Sequence, residues 1–242
     1  MREQIQEYCS TLRLGNRIVE NYSRIEASTH EEFLSKLLLM EVKAREVNRK
    51  NRLLKQANFD VVKTFENYIF DEIEIPSELS IDSLKTSEFV DDKENLILYG
   101  SVGTGKSHMA TAIGVEACNR NKRVRFFRTA ALVNQLLDAK ANGELERFMK
   151  KLRALDLLIC DEWGYIPFER DGAQLLFQVI SECYEQRSLI ITTNLRFGEW
   201  NNIFYDEKLT SALIDRIVHH SYLLVFNGPS HRLLNSKLQQ RQ

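Results

Sequence analysis

Residues 95–108 read Asn95-Leu-Ile-Leu-Tyr99-Gly100-Ser101-Val102-Gly103-Thr104-Gly105-Lys106-Ser107-His108. Asn95 to Tyr99 is a strand-like apolar run, and a helical pattern begins at His108 and continues to about Asn119. Between them, Gly100 to Ser107 satisfies G-x-x-x-x-G-K-[ST], in the strand-loop-helix setting that a phosphate-binding loop requires. Its glycines let the backbone curl until successive N–H groups face one anion, and the helix that follows adds its positive end. In that frame Lys106 reaches the β- and γ-phosphates of ATP, and the Ser107 hydroxyl meets Mg²⁺, whose other ligands are water and phosphate oxygen. Gly100, Ser101, Val102, Gly103, Thr104, Gly105, Lys106, Ser107 and His108 form the expected nucleotide-binding set. A Gly-rich turn of this spelling with no ligand arises by chance on the order of once in a hundred chains of this size.

Outward from the loop, short β-branched or aromatic runs alternate with helical patterns: Leu96–Tyr99, Val124–Phe127, Leu157–Cys160, Leu189–Thr193 and Tyr222–Phe226. The alternation predicts an α/β fold, a doubly wound parallel five-stranded sheet covered by helices on both faces. Residues 95–242 make this main domain. Residues 1–58 form a small N-terminal helical segment, in which Glu31 to about Gln56 is one amphipathic helix with Thr29 as N-cap and Phe33, Leu34, Leu37, Leu38 and Val42 on one side. Residues 59–94 read as an acidic connector crossing the surface of the main domain.

Composition sets the outer limits. The 242 residues are 43% hydrophobic and 28% charged, values of a folded chain with room for one main core. No apolar run reaches the length of a membrane span, and the amino terminus is too polar for a secretory signal, so a cytoplasmic location is expected. Cys9, Cys118, Cys160 and Cys183 lack metal-ligand spacing and read as packed thiols.

Asp156-Leu-Leu-Ile-Cys-Asp161-Glu162 is an apolar strand ending in two carboxylates, a costly arrangement unless cations or water meet the charges. Downstream of a phosphate loop, Asp161 suits a Mg²⁺ partner, and Glu162 a base that polarises water toward the γ-phosphorus. Leu189-Ile-Ile-Thr-Thr-Asn194 also ends in polar groups; Asn194 either begins a turn or holds that water. In Thr210 to His220, Arg216 either favours the helix dipole or acts as an arginine finger on the ATP of a neighbouring subunit. Gly228-Pro-Ser-His-Arg232 opens the last helix and offers Arg232 to the γ-phosphate of its own subunit.

The segments GSVGTGKSH, LLICDEWGY, ITTNLRFGEW, LTSALIDRIVHH and FNGPSHR, preceded by the basic helix ending in RKNRLLKQANF, together resemble the IstB-type helper ATPases of insertion-sequence transposons. These are related to the DnaC/DnaI-type helicase loaders. The D-E-W-G-Y and D-R-x-x-H-H strings favour the former. The resemblance implies an AAA+ fold, Mg-dependent ATP hydrolysis, a homo-oligomer with ATP at subunit interfaces, double-stranded DNA as partner, and a cognate IstA-type transposase. It also supplies the roles of Asn194, Arg216 and Arg232, which spacing leaves open. Arg196 and Pro229 depart from the family's pattern, and Pro229 bears on the pose of Arg232.

The net charge of −1 hides an uneven distribution. Lys122, Arg123, Arg125 and Arg128 flank the second strand. Lys140, Arg147, Lys150, Lys151 and Arg153 follow, with few acids nearby in sequence, and they are the expected DNA-contacting group. The basic residues from Lys43 to Lys55 are a second candidate surface, for DNA or a protein partner. The sequence also admits other functional classes: a helicase loader, an ATP-gated scaffold with little turnover, or a small-molecule kinase. The last is disfavoured, since no segment resembles an acceptor pocket or an arginine-rich lid.

Overall fold

The computed structural model describes residues 1–165, 168–204 and 206–234, and divides into two compact units, Met1–Arg52 and the chain from Leu53 onward. In the first unit, α1 (Arg2–Thr11), α2 (Asn16–Asn21) and the opening turns of α3 (His30–Ala57) enclose Cys9, Ile18 and Val19, with Ile5, Leu14, Leu37 and Met40 packed against them. Thr29 caps α3, its Oγ1 accepting the Glu32 N–H at 3.2 Å, as expected of a short hydroxyl ahead of a helical run. The apolar stripe divides differently from its sequence reading. Leu37 packs inward, whereas Leu34, Leu38 and Val42 are exposed, because the short α1 and α2 cover only part of that side of the helix.

The second unit is built on a six-stranded sheet of order β1-β6-β2-β5-β4-β3. Its strands are β1 (Ile73–Glu74), β2 (Asn95–Gly100), β3 (Val124–Arg128), β4 (Leu157–Trp163), β5 (Ser188–Thr193) and β6 (Ser221–Phe226). The five expected strands are all present and parallel. A sixth, the two-residue β1, pairs antiparallel with β6, so the sheet is mixed at one edge. The period of two along each strand divides the core. Ile97, Leu158, Cys160, Leu189 and Ile191 face one layer; Leu96, Leu98, Leu157, Ile159 and Ile190 face the other. The first layer is completed by α6 (Thr129–Ala141), α7 (Leu145–Arg153), α8 (Arg170–Cys183), α9 (Asn201–Phe204) and α10 (Glu207–Val218). The second includes α4 (Ile81–Thr86) and α5 (Lys106–Asn119). The four-residue α11 (His231–Leu234) follows β6, and the basic tail beyond it lies outside the described residues.

The acidic segment does more than cross the surface. Leu79, Leu84, Phe89 and Val90 are buried in the second layer, and Ser80 caps α4 by accepting the Ser83 N–H at 3.0 Å. Its carboxylates stay outside while apolar side chains spaced between them turn in, a division that net charge does not reveal. Among the described residues no helix is long and apolar enough to cross a membrane. Because β2, β4, β5 and β6 run parallel, the phosphate loop, the acidic pair and Thr193 all emerge at the carboxyl ends of the strands, the place where open α/β sheets bind ligands.

Candidate nucleotide-binding site

The loop between β2 and α5 keeps its shape through glycine conformation and short internal bonds. Gly103 (φ +86°) and Gly105 (φ +98°) sit in the left-handed region, and a Cβ at Gly103 would collide with the Ser230 side chain. Thr104 Oγ1 donates to the Ser101 carbonyl at 2.9 Å, and His231 N–H donates to the Gly103 carbonyl at 3.0 Å. Gly103 to His108 line a cleft of about 670 Å³ together with Asp161, Glu162, Gly228, His231 and Arg232. Gly100, Ser101 and Val102 form the turn behind it, with Val102 exposed.

Lys106 Nζ donates to the carbonyls of Gly100 at 2.8 Å and Ser101 at 2.6 Å. Burial pulls its pKa down to about 8; the Asp161 carboxylate opposes that shift and the Arg232 charge adds to it. The consequence for binding has a definite sign. A triphosphate stabilises the charged lysine and raises its pKa, so nucleotide binding takes up a proton wherever the free protein has lost one. Affinity for an ATP analogue should therefore fall as pH rises through 8, by up to about tenfold per unit. Calorimetry at pH 8.5 in buffers of different ionisation heat should show proton uptake, and Lys106→Arg should remove it.

The acidic pair owes its placement to an irregularity in β4. Cys160 pairs with Ile191 and Trp163 with Thr193, so β4 carries one more residue than β5 across this step. The bulge puts Glu162 at φ +57°, a conformation uncommon for a non-glycine residue and frequent at functional sites. Asp161 is buried, while Glu162 is exposed at the cleft. Ser107 Oγ donates to Asp161 Oδ1 at 2.8 Å, joining the two residues expected to hold a metal. Thr192 on β5 was not foreseen from sequence. Its hydroxyl donates to Asp161 Oδ1 at 2.5 Å and accepts the Glu162 N–H at 3.0 Å, so one side chain orients both acids. Thr129 Oγ1 donates to the Asp161 carbonyl at 2.8 Å and secures the strand end from the other side.

The remaining expected residues are placed unequally. Arg232 lines the cleft, held there by the docking of residues 228–231 on the phosphate loop, Pro229 notwithstanding. Asn194 is exposed just past the end of β5 and does not line the cleft. Arg216 lies apart from the chain's own cleft; its guanidinium sits 5.0 Å over the Phe177 ring and donates to the Ala212 carbonyl at 3.3 Å. Arg196 begins the turn after β5, its N–H donating to Glu199 Oε2 at 2.7 Å.

The other wall of the cleft comes from residues 60–73, which sequence reasoning passed over. Tyr68 Oη donates to the Gly105 carbonyl at 3.3 Å and its ring meets His108 edge-on at 4.9 Å. Burial raises the Tyr68 pKa, keeping the phenol protonated. Thr64 offers its carbonyl to His108 Nε2 at 2.8 Å. The available signal was the aromatic grouping Phe65, Tyr68 and Phe70, dense for a surface connector.

The basic group expected to meet DNA is more neutralised than its local sequence suggests. Lys122 pairs with Asp91, Arg123 with Asp156 at 3.2 Å, Arg128 with Asp60 at 2.8 Å, and Lys140 with Asp171 at 2.8 Å. Arg147 meets Glu144 at 3.5 Å, and Arg153 bridges Glu146 and Glu182 at 2.6 and 2.9 Å. Arg125 lies over Phe127 and donates to the Gln56 carbonyl at 2.7 Å. The reading that few acids balance these charges is corrected: the partners come mostly from distant segments that folding brings alongside. Lys150 and Lys151 are exposed on α7. Pairs this exposed contribute little to stability.

Comparison with known proteins agrees with this geometry. A family profile described as IstB-like ATP binding protein matches residues 16–239. The IS5376 putative ATP-binding protein of Geobacillus stearothermophilus is 37% identical over 248 residues, covering 100% of this chain and 98% of that relative. The IS21 putative ATP-binding protein of Pseudomonas aeruginosa is 37% identical over 204 residues, covering 84% and 77%. Among solved structures, DnaI superposes with a TM-score of 0.56 at 18% identity, covering 75% of this chain and 93% of its own length. That likeness concerns the fold alone, a mostly parallel α/β sheet that resembles those of P-loop AAA+ domains. The chain belongs to the IstB-like ATP-binding protein family of insertion sequences.

Proposed function

We propose that this protein is a Mg-dependent, DNA-stimulated ATPase of the cytoplasm. It assembles on double-stranded DNA with ATP at its subunit interfaces, and it recruits or stimulates a cognate IstA-type transposase. The observation that carries the reading is the coupling at the end of β4. A buried Asp161 is bonded to Ser107, and Glu162 is turned by a bulge toward the same cleft. Binding alone needs no such second acid, whereas hydrolysis needs a base beside the phosphates.

Each residue then has a part. The loop from Gly100 to His108 cradles the phosphates with Lys106 at their far end. The hydroxyl of Ser107 and carboxylate of Asp161 are hard oxygen donors that fit Mg²⁺, which when bound neutralises phosphate charge. Glu162 takes the proton of the attacking water, Asn194 orients that water once the site closes, and Arg232 meets the γ-phosphate in its own subunit. Arg216, distant from its own cleft, serves the ATP of the next copy. Residues 1–58 engage DNA or partner, and residues 60–73 of the acidic connector supply the wall beside the nucleotide.

Duplex binding in the presence of a non-hydrolysable ATP analogue tests the DNA arm. The logarithm of the affinity should fall linearly with that of salt, by roughly 0.9 for each phosphate neutralised, and equally on unrelated sequences. The double variant Lys150→Ala/Lys151→Ala should flatten the slope by about two. A slope near zero for the unchanged chain, or one the double variant leaves alone, would remove these residues from the DNA surface.

A further inference from the structure

A second cluster of polar groups lies at the amino-terminal ends of β5 and β6, the end of the sheet opposite the nucleotide cleft. Glu185 sits in the connection from α8 to β5, and His219 and His220 in the connection from α10 to β6. We propose that Glu185, His219 and His220 form a surface binding site for a divalent transition-metal ion, with zinc as the ion their chemistry fits best. This inference stands apart from the nucleotide reading and does not depend on it.

The geometry is close to that of a ligand set. One donor atom from each residue lies within 4.8 Å of the others, and it is the grouping of this kind among the described residues. His220 Nε2 and Glu185 Oε1 are 3.4 Å apart. Two ligands held about 2.0–2.1 Å from a tetrahedral ion stand roughly 3.3–3.4 Å from each other, so this pair already has the required separation. The third donor needs only a small side-chain adjustment. Two imidazoles with one carboxylate and an open fourth position is a zinc-type donor set, whereas Mg²⁺ and Ca²⁺ favour oxygen ligands throughout.

Two further features hold the donors in place. Tyr184 Oη and His219 Nδ1 are 2.9 Å apart, the kind of outer hydrogen bond that orients a metal-bound imidazole. The backbone is pinned on both sides, with Asn95 N–H donating to the His220 carbonyl at 2.7 Å and Gln186 N–H to the Cys183 carbonyl at 3.0 Å. An ion bound here would tie the carboxyl end of α10, one turn past Arg216, to the start of β5. As a bare ion pair between exposed groups, His220 and Glu185 would contribute little.

Titration of zinc chloride into the full chain, stripped with chelator and free of nucleotide, tests the proposal by calorimetry. One ion per chain is expected. Glu185→Gln and His220→Ala should each weaken binding by more than about tenfold, the loss seen when even an outer partner of a ligand is removed. His30→Ala, in the first unit, should leave the affinity unchanged. Competition from thiols is not expected, since all four cysteines are buried. Circular dichroism and ATP-analogue binding of the variants establish that they are folded, and zinc should raise the melting temperature of the unchanged chain but not of His219→Ala/His220→Ala. Failure of zinc to bind below millimolar concentration, or undiminished binding in that double variant, would overturn the assignment.

Discussion

Glu162→Gln is expected to lower ATP turnover by roughly 10²–10⁴-fold while nucleotide affinity stays within a few-fold of the unchanged chain. The bulge decides where this residue is left. Its backbone, at φ +57°, is held by the Thr192 hydroxyl, and its side chain is exposed at the cleft instead of packed beneath it. Glutamine matches glutamate in shape and keeps the bulge, the neighbouring Asp161–Ser107 bond and the phosphate loop; it loses only the capacity to take a proton. Phosphate release under saturating ATP and equilibrium binding of a fluorescent analogue separate the two effects. On the proposed cycle the variant also remains assembled on DNA after ATP is added. Unchanged turnover would make Glu162 a surface acid at a strand end and favour an ATP-gated scaffold. A parallel loss of affinity would mean the substitution had disturbed the site rather than its chemistry.

Arg216→Ala should cost more, roughly 10³–10⁵ in turnover, the range for arginines that stabilise charge at a transferring phosphoryl group. Nothing in the chain's own cleft explains such an effect. The guanidinium rests over Phe177 near the carboxyl end of α10, where a merely structural arginine would also sit. The structural contribution is bounded: a cation–π contact at such a site is worth about 0.5–1 kcal/mol, enough to lower the melting temperature slightly. Arg216→Lys separates the roles. It preserves the charge but not the planar fork, so melting should recover while turnover stays low. Recovery of both would reduce Arg216 to a packing residue.

Much of this site is legible in the sequence because its signals are local. The phosphate loop is one continuous string whose glycines are dictated by backbone conformation. The five parallel strands are short apolar runs between helices, and their carboxyl ends fall at one end of the sheet once they are parallel. What escapes is whatever depends on register or on distant partners. The bulge in β4 is an offset between Cys160 and Trp163 relative to β5, invisible without the neighbouring strand. Thr192 orients the acids only because that offset brings β5 beside them. β1 is two residues long, too short for any periodicity, and is a strand only through its antiparallel pairing with β6. The basic residues around β3 seemed unbalanced because Asp60, Asp91 and Asp171 lie about 30 or more positions away from their partners, as in the separation of Lys140 and Asp171 by 31. On α3, helical period groups Leu34, Leu37 and Leu38 on one side but cannot tell that Leu37 is covered while Leu34 and Leu38 are not.

Mixing two inactive variants tests most directly whether ATP held by one copy is completed by a neighbour. Lys106→Ala is expected to lose nucleotide binding yet keep Arg216, while Arg216→Ala keeps the phosphate loop and lacks the arginine. Combined on duplex DNA, with phosphate release as the readout, they should recover a substantial fraction of turnover at interfaces where an intact loop meets an intact arginine. If the mixture is as inactive as either variant alone although both are assembled on the DNA, the site is not shared between subunits.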